Sequence, residues 1–293
     1  MVALGAIAGV LLLAGCSTTS APSAASASTG RAATVYTPNA GVTDETRVLP
    51  AGVDQVHALA VTRDGQVFAA TNVGLFAVSP TAARRIGTDV SDLTSLAVDS
   101  TGVFYSSGHA ATSVGRGPAV GLLQSRDGGL TWQSVKGADA DDFHALTARG
   151  NTIIGESAGQ LWVSIDSGQK WQRTGRSAAG SLTLDSRDLW ITGTDGLERA
   201  HVDGTGAEIV QDAPRLRLGS LAADKSVWGV DTSGTVWTRD QHQHWHDVGT
   251  LSPEVTAVGI TGIDGRHAAI ASNAGITWVS ITDPATLPTM TFA

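Results

Sequence analysis

The chain has 293 residues, a formal net charge of −8 and one cysteine. Its lysines are confined to Lys136, Lys170 and Lys225, with no basic run or stripe, which excludes nucleic acid as a partner because phosphate binding needs concentrated positive charge. A lone cysteine also excludes an intramolecular disulfide and the multi-thiolate metal sites.

Residues 1–15 form an apolar run that is too short to span a bilayer, which takes about 20 residues. The run matches the apolar part of a secretory signal, although no Lys or Arg precedes it. Leu13-Ala14-Gly15-Cys16 resembles the bacterial lipobox. That resemblance implies lipidation of Cys16, attachment to the membrane through the lipid, and an extracytoplasmic location. The Ser/Ala/Thr-rich stretch that follows cannot bury a core and reads as a flexible tether. The expected organisation is a signal over 1–15, a tether over 16–45 and a folded part over 46–293.

From residue 53 onward one pattern recurs. Each unit opens on an apolar strand: 57–61 (HALAV), 94–98 (TSLAV), 144–148 (HALTA), 180–184 (GSLTL), 219–223 (GSLAA) and 256–260 (TAVGI). A second strand follows each, and a third begins at a glycine, as in 74–78 (GLFAV) and 275–279 (GITWV). The repeat is roughly 37 residues, close to the spacing of four short strands per propeller blade. Six units predict an all-β, six-bladed, monomeric β-propeller. Its last outer strand is expected from residues 289–292 or from the segment around 47–49.

Between their third and fourth strands, three units carry a turn signature. Two are well formed, on Ser125, Asp127, Gly129 and Trp132, and on Ser164, Asp166, Gly168 and Trp171. The third is a decayed copy with Asp240 and Trp245. The residues fit a hairpin: Asp accepts backbone N–H groups across the turn, Gly supplies positive φ, and Trp starts the next strand. These turns resemble the Asp box, or bacterial neuraminidase repeat, of sialidase-like propellers, in which the motif is structural. More narrowly, Ser107-Gly108-His109, Gly121-Leu122-Leu123 and Asp142-Phe143-His144-Ala145-Leu146 resemble exported bacterial proteins labelled glycosyl hydrolases. The sialidase catalytic pattern is not matched. No motif sets Arg116, Arg176 and Arg217 as an arginine triad, and Tyr105 is the only tyrosine in the repeats. Related propellers also serve as assembly factors in photosynthetic membranes, so the resemblance also accommodates a scaffold.

Blade topology sorts the polar residues. Turns between strands two and three share one rim with the links between blades; the Asp-box turns belong to the other. The first rim collects His57, Asn72, His109, His144, Glu156, Asp195, Asp231 and Asn273, and also the one long insertion, residues 109–120. Long loops on a rigid scaffold commonly carry function. Three readings use this ring. The preferred one is a binding or assembly platform for a protein or glycan, without chemistry. A second is exo-acting, sialidase-like glycoside hydrolysis by Glu156, Asp195 and Asp231. A third is a transition-metal site at His57, His109 and His144. His242, His244 and His246 crowd the decayed turn on the opposite rim and read as a solvated turn.

Overall fold

The computed structural model describes residues 35–112, 116–136, 142–177, 180–193 and 195–290. The signal, Cys16 and most of the tether lie outside these residues, as does the side chain of Arg116. The described part is all-β: six four-stranded antiparallel units, one 3-10 turn at Pro284–Thr286 and no α-helix among the described residues. No helix there is long and apolar enough to cross a membrane.

Blade one comprises Val56–Val61, Val67–Thr71, Gly74–Val78 and Ala83–Ile86. Blade two runs through Asp92–Val98, Phe104–Ala111, Leu123–Ser125 and Gln133–Ser134. Blade three is Ala145–Arg149, Thr152–Ser157, Gln160–Ser164 and Gln172–Ser177, and blade four is Leu182–Leu184, Asp188–Gly193, Gly196–His201 and Glu208–Ile209. Blade five contains Leu216–Leu221, Val227–Asp231, Thr235–Arg239 and Trp245–Leu251. Blade six takes Ala257–Gly262, His267–Ser272 and Gly275–Ile281 from the chain's end, and its outer strand, Val42–Arg47, from near its beginning. The six first strands neighbour one another in a closed cycle around an axis.

The core is divided among the six interfaces between blades, one apolar cluster in each. Strand alternation explains this division. In blade one, Val67 and Ala69 face blade six while Phe68 and Ala70 face blade two. A strand covered on both faces reads as a continuous apolar run. Aromatic pairs tighten two of the wedges: Phe68 meets Phe104 edge-on at 4.9 Å, and Phe143 lies 4.8 Å from Trp171. Hydroxyls latch the inner strands together. Ser107, Thr147, Ser181 and Ser220 accept backbone N–H bonds from Phe143, Leu184, Gly219 and Gly262 of the following blade, at 2.9–3.2 Å.

Three expectations are corrected. Folded structure begins before residue 46, because Tyr36–Pro38 joins the outer edge of blade five and Val42–Arg47 closes blade six. Residues near the C-terminus do not close the ring: Thr289–Met290 pairs with Trp245 and His246 of blade five. In blade five the first strand is Leu216–Leu221 rather than 219–223, so Arg217, not Gly219, stands at its opening. Leu218 is buried in the wedge with blade six, and Gly219 borders the axial cavity.

Candidate functional site

A recurring irregularity builds the histidine-bearing rim. The first strands of blades one, two, five and six each slip register near their openings, at His57, Thr94, Arg217 and Val258. A bulge of this kind re-aims one side chain out of the ladder. His57 is thereby set against blade two, with Nε2 3.0 Å from Asp92 Oδ1. The angle lies outside hydrogen-bond geometry, so the pair counts as an electrostatic contact. Thr94 is set against blade three, where its hydroxyl donates to Asp142 Oδ1 at 2.9 Å and to the carbonyl of Phe143 at 3.0 Å.

Asp142 is the centre of the arrangement. Its Oδ2 lies 3.6 Å from His109 Nε2 and 3.4 Å from His144 Nε2. His109 comes from the second strand of blade two and pairs across the sheet with Asp92. The result is a line of alternating imidazoles and carboxylates, His57–Asp92–His109–Asp142–His144, crossing three blades. Two openings meet it. An axial cavity of about 170 Å³ is bordered by His57, Ser95 and His144, and a groove of about 530 Å³ between blades one and two is bordered by His57, Asn72, Asp92 and Thr112. His144 is 55% exposed, whereas the His109 side chain is 14% exposed. A carboxylate behind an imidazole fixes its orientation and tautomer. His144 thus stands exposed at the end of the line, with Asp142 behind it.

The three histidines do not assemble a metal site. Each meets a carboxylate rather than the other imidazoles, and among the described residues no group of three or more His, Cys, Asp or Glu is placed to hold a metal ion.

The remaining rim residues serve mainly as local braces. Asn72 Oδ1 accepts the N–H groups of Asp54 and Gln55, and Asn273 Oδ1 accepts that of Thr256. Both asparagines fasten an incoming link to the rim. Glu156 Oε1 accepts the N–H of Gly159 in its own hairpin. Asp231 takes N–H and O–H bonds from Ser233 and an N–H bond from Thr235 on one oxygen, with the Trp237 indole N–H on the other. Asp195 is exposed and shares a groove with Asp231 between blades four and five. Glu156 and Asp231 are thus committed to their turns. The arginines suggested for a substrate carboxylate are engaged as well: Arg176 pairs with Glu198, and Arg217 donates to the carbonyl of Ala257.

On the opposite rim, Asp127 accepts bonds from the Ser125 hydroxyl and from both the hydroxyl and backbone N–H of Thr131. Those bonds, led by the Thr131 hydroxyl, hold its carboxyl at about 2. Asp166 repeats the pattern with Ser164 and the N–H of Lys170. Gly129 and Gly168 have positive φ, and a Cβ on either would collide with Leu75 or Leu122 of the preceding blade. These turns therefore dock one blade on the last. In the third turn, Asp240 still accepts the N–H groups of His242 and His244, but the Thr238 hydroxyl is buried without a partner.

Asp92 and Asp142 are the residues of this candidate site that the sequence does not single out. A signal for them was present: each is an acid standing at or just before the opening of an inner strand, adjacent to a rim histidine once the strands are paired.

No protein-family model matches the chain, and no curated protein matches its sequence. Solved structures similar to it are propellers. Virginiamycin B lyase from Staphylococcus aureus has a TM-score of 0.56 at 13% identity, covering 82% of this chain and 99% of the lyase. A gluconolactonase from Xanthomonas campestris gives 0.59 at 12%, covering 86% and 97%. YCF48 bound to a D1 peptide gives 0.51 at 12%, covering 83% and 97%. At these identities the likeness is one of fold, and function rests on the site's own residues.

Proposed function

We propose that this chain is a lipid-anchored, extracytoplasmic propeller that binds a protein or glycan through the rim of blades one to three and performs no chemistry on it. The observation that carries this is the five-residue line from His57 to His144, which gathers side chains from three blades at the meeting of two openings. The Leu13–Cys16 motif supports the anchor. We read the Ser125–Trp132 and Ser164–Trp171 turns as Asp boxes of a sialidase-like propeller, and their hydrogen bonding supports a structural role. A similar propeller, YCF48, is described with a bound peptide, which gives the binding reading a parallel.

The test uses the Cys16→Ser chain, so that a lipid does not report as binding. Saturable co-sedimentation with native envelopes should be lost in Asp142→Asn and His144→Ala and kept in Asp240→Asn. Equal binding by all of these variants contradicts the reading. So does glycoside turnover that disappears in Glu156→Gln.

One observation favours a second reading. His144 is exposed and backed by Asp142, the geometry of an oriented general acid or base. Among the similar structures is a catalytically inactive histidine-to-alanine variant of virginiamycin B lyase. Ring opening of lactones that vanishes in His144→Gln would establish this second reading in place of the first.

A further inference from the structure

Between blades four and five the rim holds a groove of about 490 Å³, a size within the usual range of small-ligand sites. Asp195, in the turn between the second and third strands of blade four, and Arg215, in the link into blade five, both border it. Both residues are exposed, and neither side chain takes part in a hydrogen bond or an ion pair. Nearby arginines show the contrast: Arg176 pairs with Glu198, Arg217 donates to the carbonyl of Ala257, and Arg239 pairs with Asp212. A Cβ on Gly196 would stand 3.8 Å from the Cα of Arg215, so the two free charges are neighbours across the blade boundary. They nevertheless do not pair with each other.

Water satisfies isolated surface charges, so the charges alone call for no ligand. The wall they share is what singles the groove out. Leu197, Ile209, Pro214 and Trp237 line it, and Ile209 is 49% exposed. That wall is held in place. The Val210 N–H bonds the carbonyl of Leu197 at 2.9 Å, Asp212 fastens the link to Arg239, and the Trp237 indole N–H is held by Asp231 at 2.8 Å.

The chemistry of the groove narrows what fits. A guanidinium takes a carboxylate through paired N–H bonds, and the Asp195 carboxylate takes an ammonium. The apolar wall takes an aliphatic side chain. An anion alone would meet the carboxylates of Asp195 and Asp231, and a cation alone would leave Arg215 without a partner. A ligand that carries an ammonium, a carboxylate and an aliphatic group matches all three features.

We infer that the groove at Asp195 and Arg215 binds an apolar α-amino acid, either free or as a short peptide with both ends charged. This site is separate from the line of blades one to three, and the inference does not rest on envelope binding there.

The test is calorimetric titration of the Cys16→Ser chain, with the Trp237 indole N–H followed by NMR. Leucine represents the free amino acid and trileucine the peptide. N-acetylleucine lacks the ammonium, and leucinamide lacks the carboxylate. The expected result is saturable binding of leucine or trileucine that shifts the Trp237 resonance. Asp195→Asn should weaken it roughly tenfold or more and leave N-acetylleucine unaffected. Arg215→Gln should weaken it to a similar degree and leave leucinamide unaffected. Both variants should melt with the parent, because both residues are exposed, which keeps loss of binding separate from loss of fold. His144→Ala should bind leucine as the parent does. Trileucine binding more tightly than leucine identifies a peptide as the source; equal or weaker binding identifies the free amino acid. The inference is overturned if neither leucine nor trileucine binds at millimolar concentration, if N-acetylleucine and leucinamide bind the parent as tightly as leucine, or if Asp195→Asn and Arg215→Gln bind as the parent does. Loss of leucine binding in His144→Ala would also overturn it, by moving the site to blades one to three.

Discussion

Two histidine clusters stand at opposite ends of this propeller, and their composition is nearly the same. His57, His109 and His144 are spread over 88 positions of the sequence yet gather on Asp92 and Asp142 across three blades. His242, His244 and His246 are packed into five consecutive positions, and they surround one aspartate of their own turn. Burial alone would raise the Asp240 carboxyl, but the N–H groups of His244 and His242 and the His246 ring together hold it below its usual range. The cluster that is compact in sequence thus closes a hairpin. The dispersed one gathers side chains from three blades, whereas the compact one brings its own hairpin alone to the edge of a groove of about 620 Å³ beside blade six. Proximity along the chain marks local bracing here, and convergence from separate blades marks a candidate site.

The variants that break this contrast can be ranked. Asp142→Ala should have the largest effect. It strips a mostly buried carboxylate from Thr94 and two imidazoles, and should cost about 2–3 kcal/mol in urea denaturation together with ligand binding. Asp231→Ala should come next, at about 1–2 kcal/mol, because four donors in one hairpin lose their acceptor; binding at blades one to three should persist.

Asp127 sharpens the contrast through pH. Its carboxyl is held at about 2, below the ordinary value near 4, so the ionised form stabilises the fold. The contribution is full above about pH 4 and is lost as pH falls through about 2. Acid denaturation should therefore show the parent ahead of Asp127→Asn at neutral pH and level with it in strong acid. His144→Ala should change stability by no more than about 0.5 kcal/mol because the ring is half-exposed, yet that change should abolish binding. His242→Ala should alter neither stability nor binding.

Much of the fold was legible in the sequence because each blade obeys the same local rules. The inner strands of blades one to four were expected within a few residues of where they lie, since runs such as 57–61 and 94–98 end at clear turns. Blade five misled by two residues because the small residues Gly219 and Ser220 look like a strand opening, whereas Leu216 and Leu218 carry the burial. Ring closure was half legible. Arg47 was within reach, but Val42–Arg47 exposes several polar side chains, and an outer strand with one wet face has no apolar signature. The site was legible only as a set of rim histidines. Asp92 and Asp142 acquire meaning from strand register and bulges that bring Asp92 opposite His109 and turn Thr94 toward Asp142, and neither pairing leaves a mark on local sequence.

The central claim is that the rim of blades one to three binds while the aspartate-braced turns only hold the fold. Its most direct test is a matched pair of carboxamide variants, Asp142→Asn and Asp240→Asn, measured for saturable envelope binding at equal folded concentration in the Cys16→Ser background. Asp142→Asn should lose binding, and Asp240→Asn should bind as the parent does. Parental binding by Asp142→Asn, or a loss confined to Asp240→Asn, would contradict it.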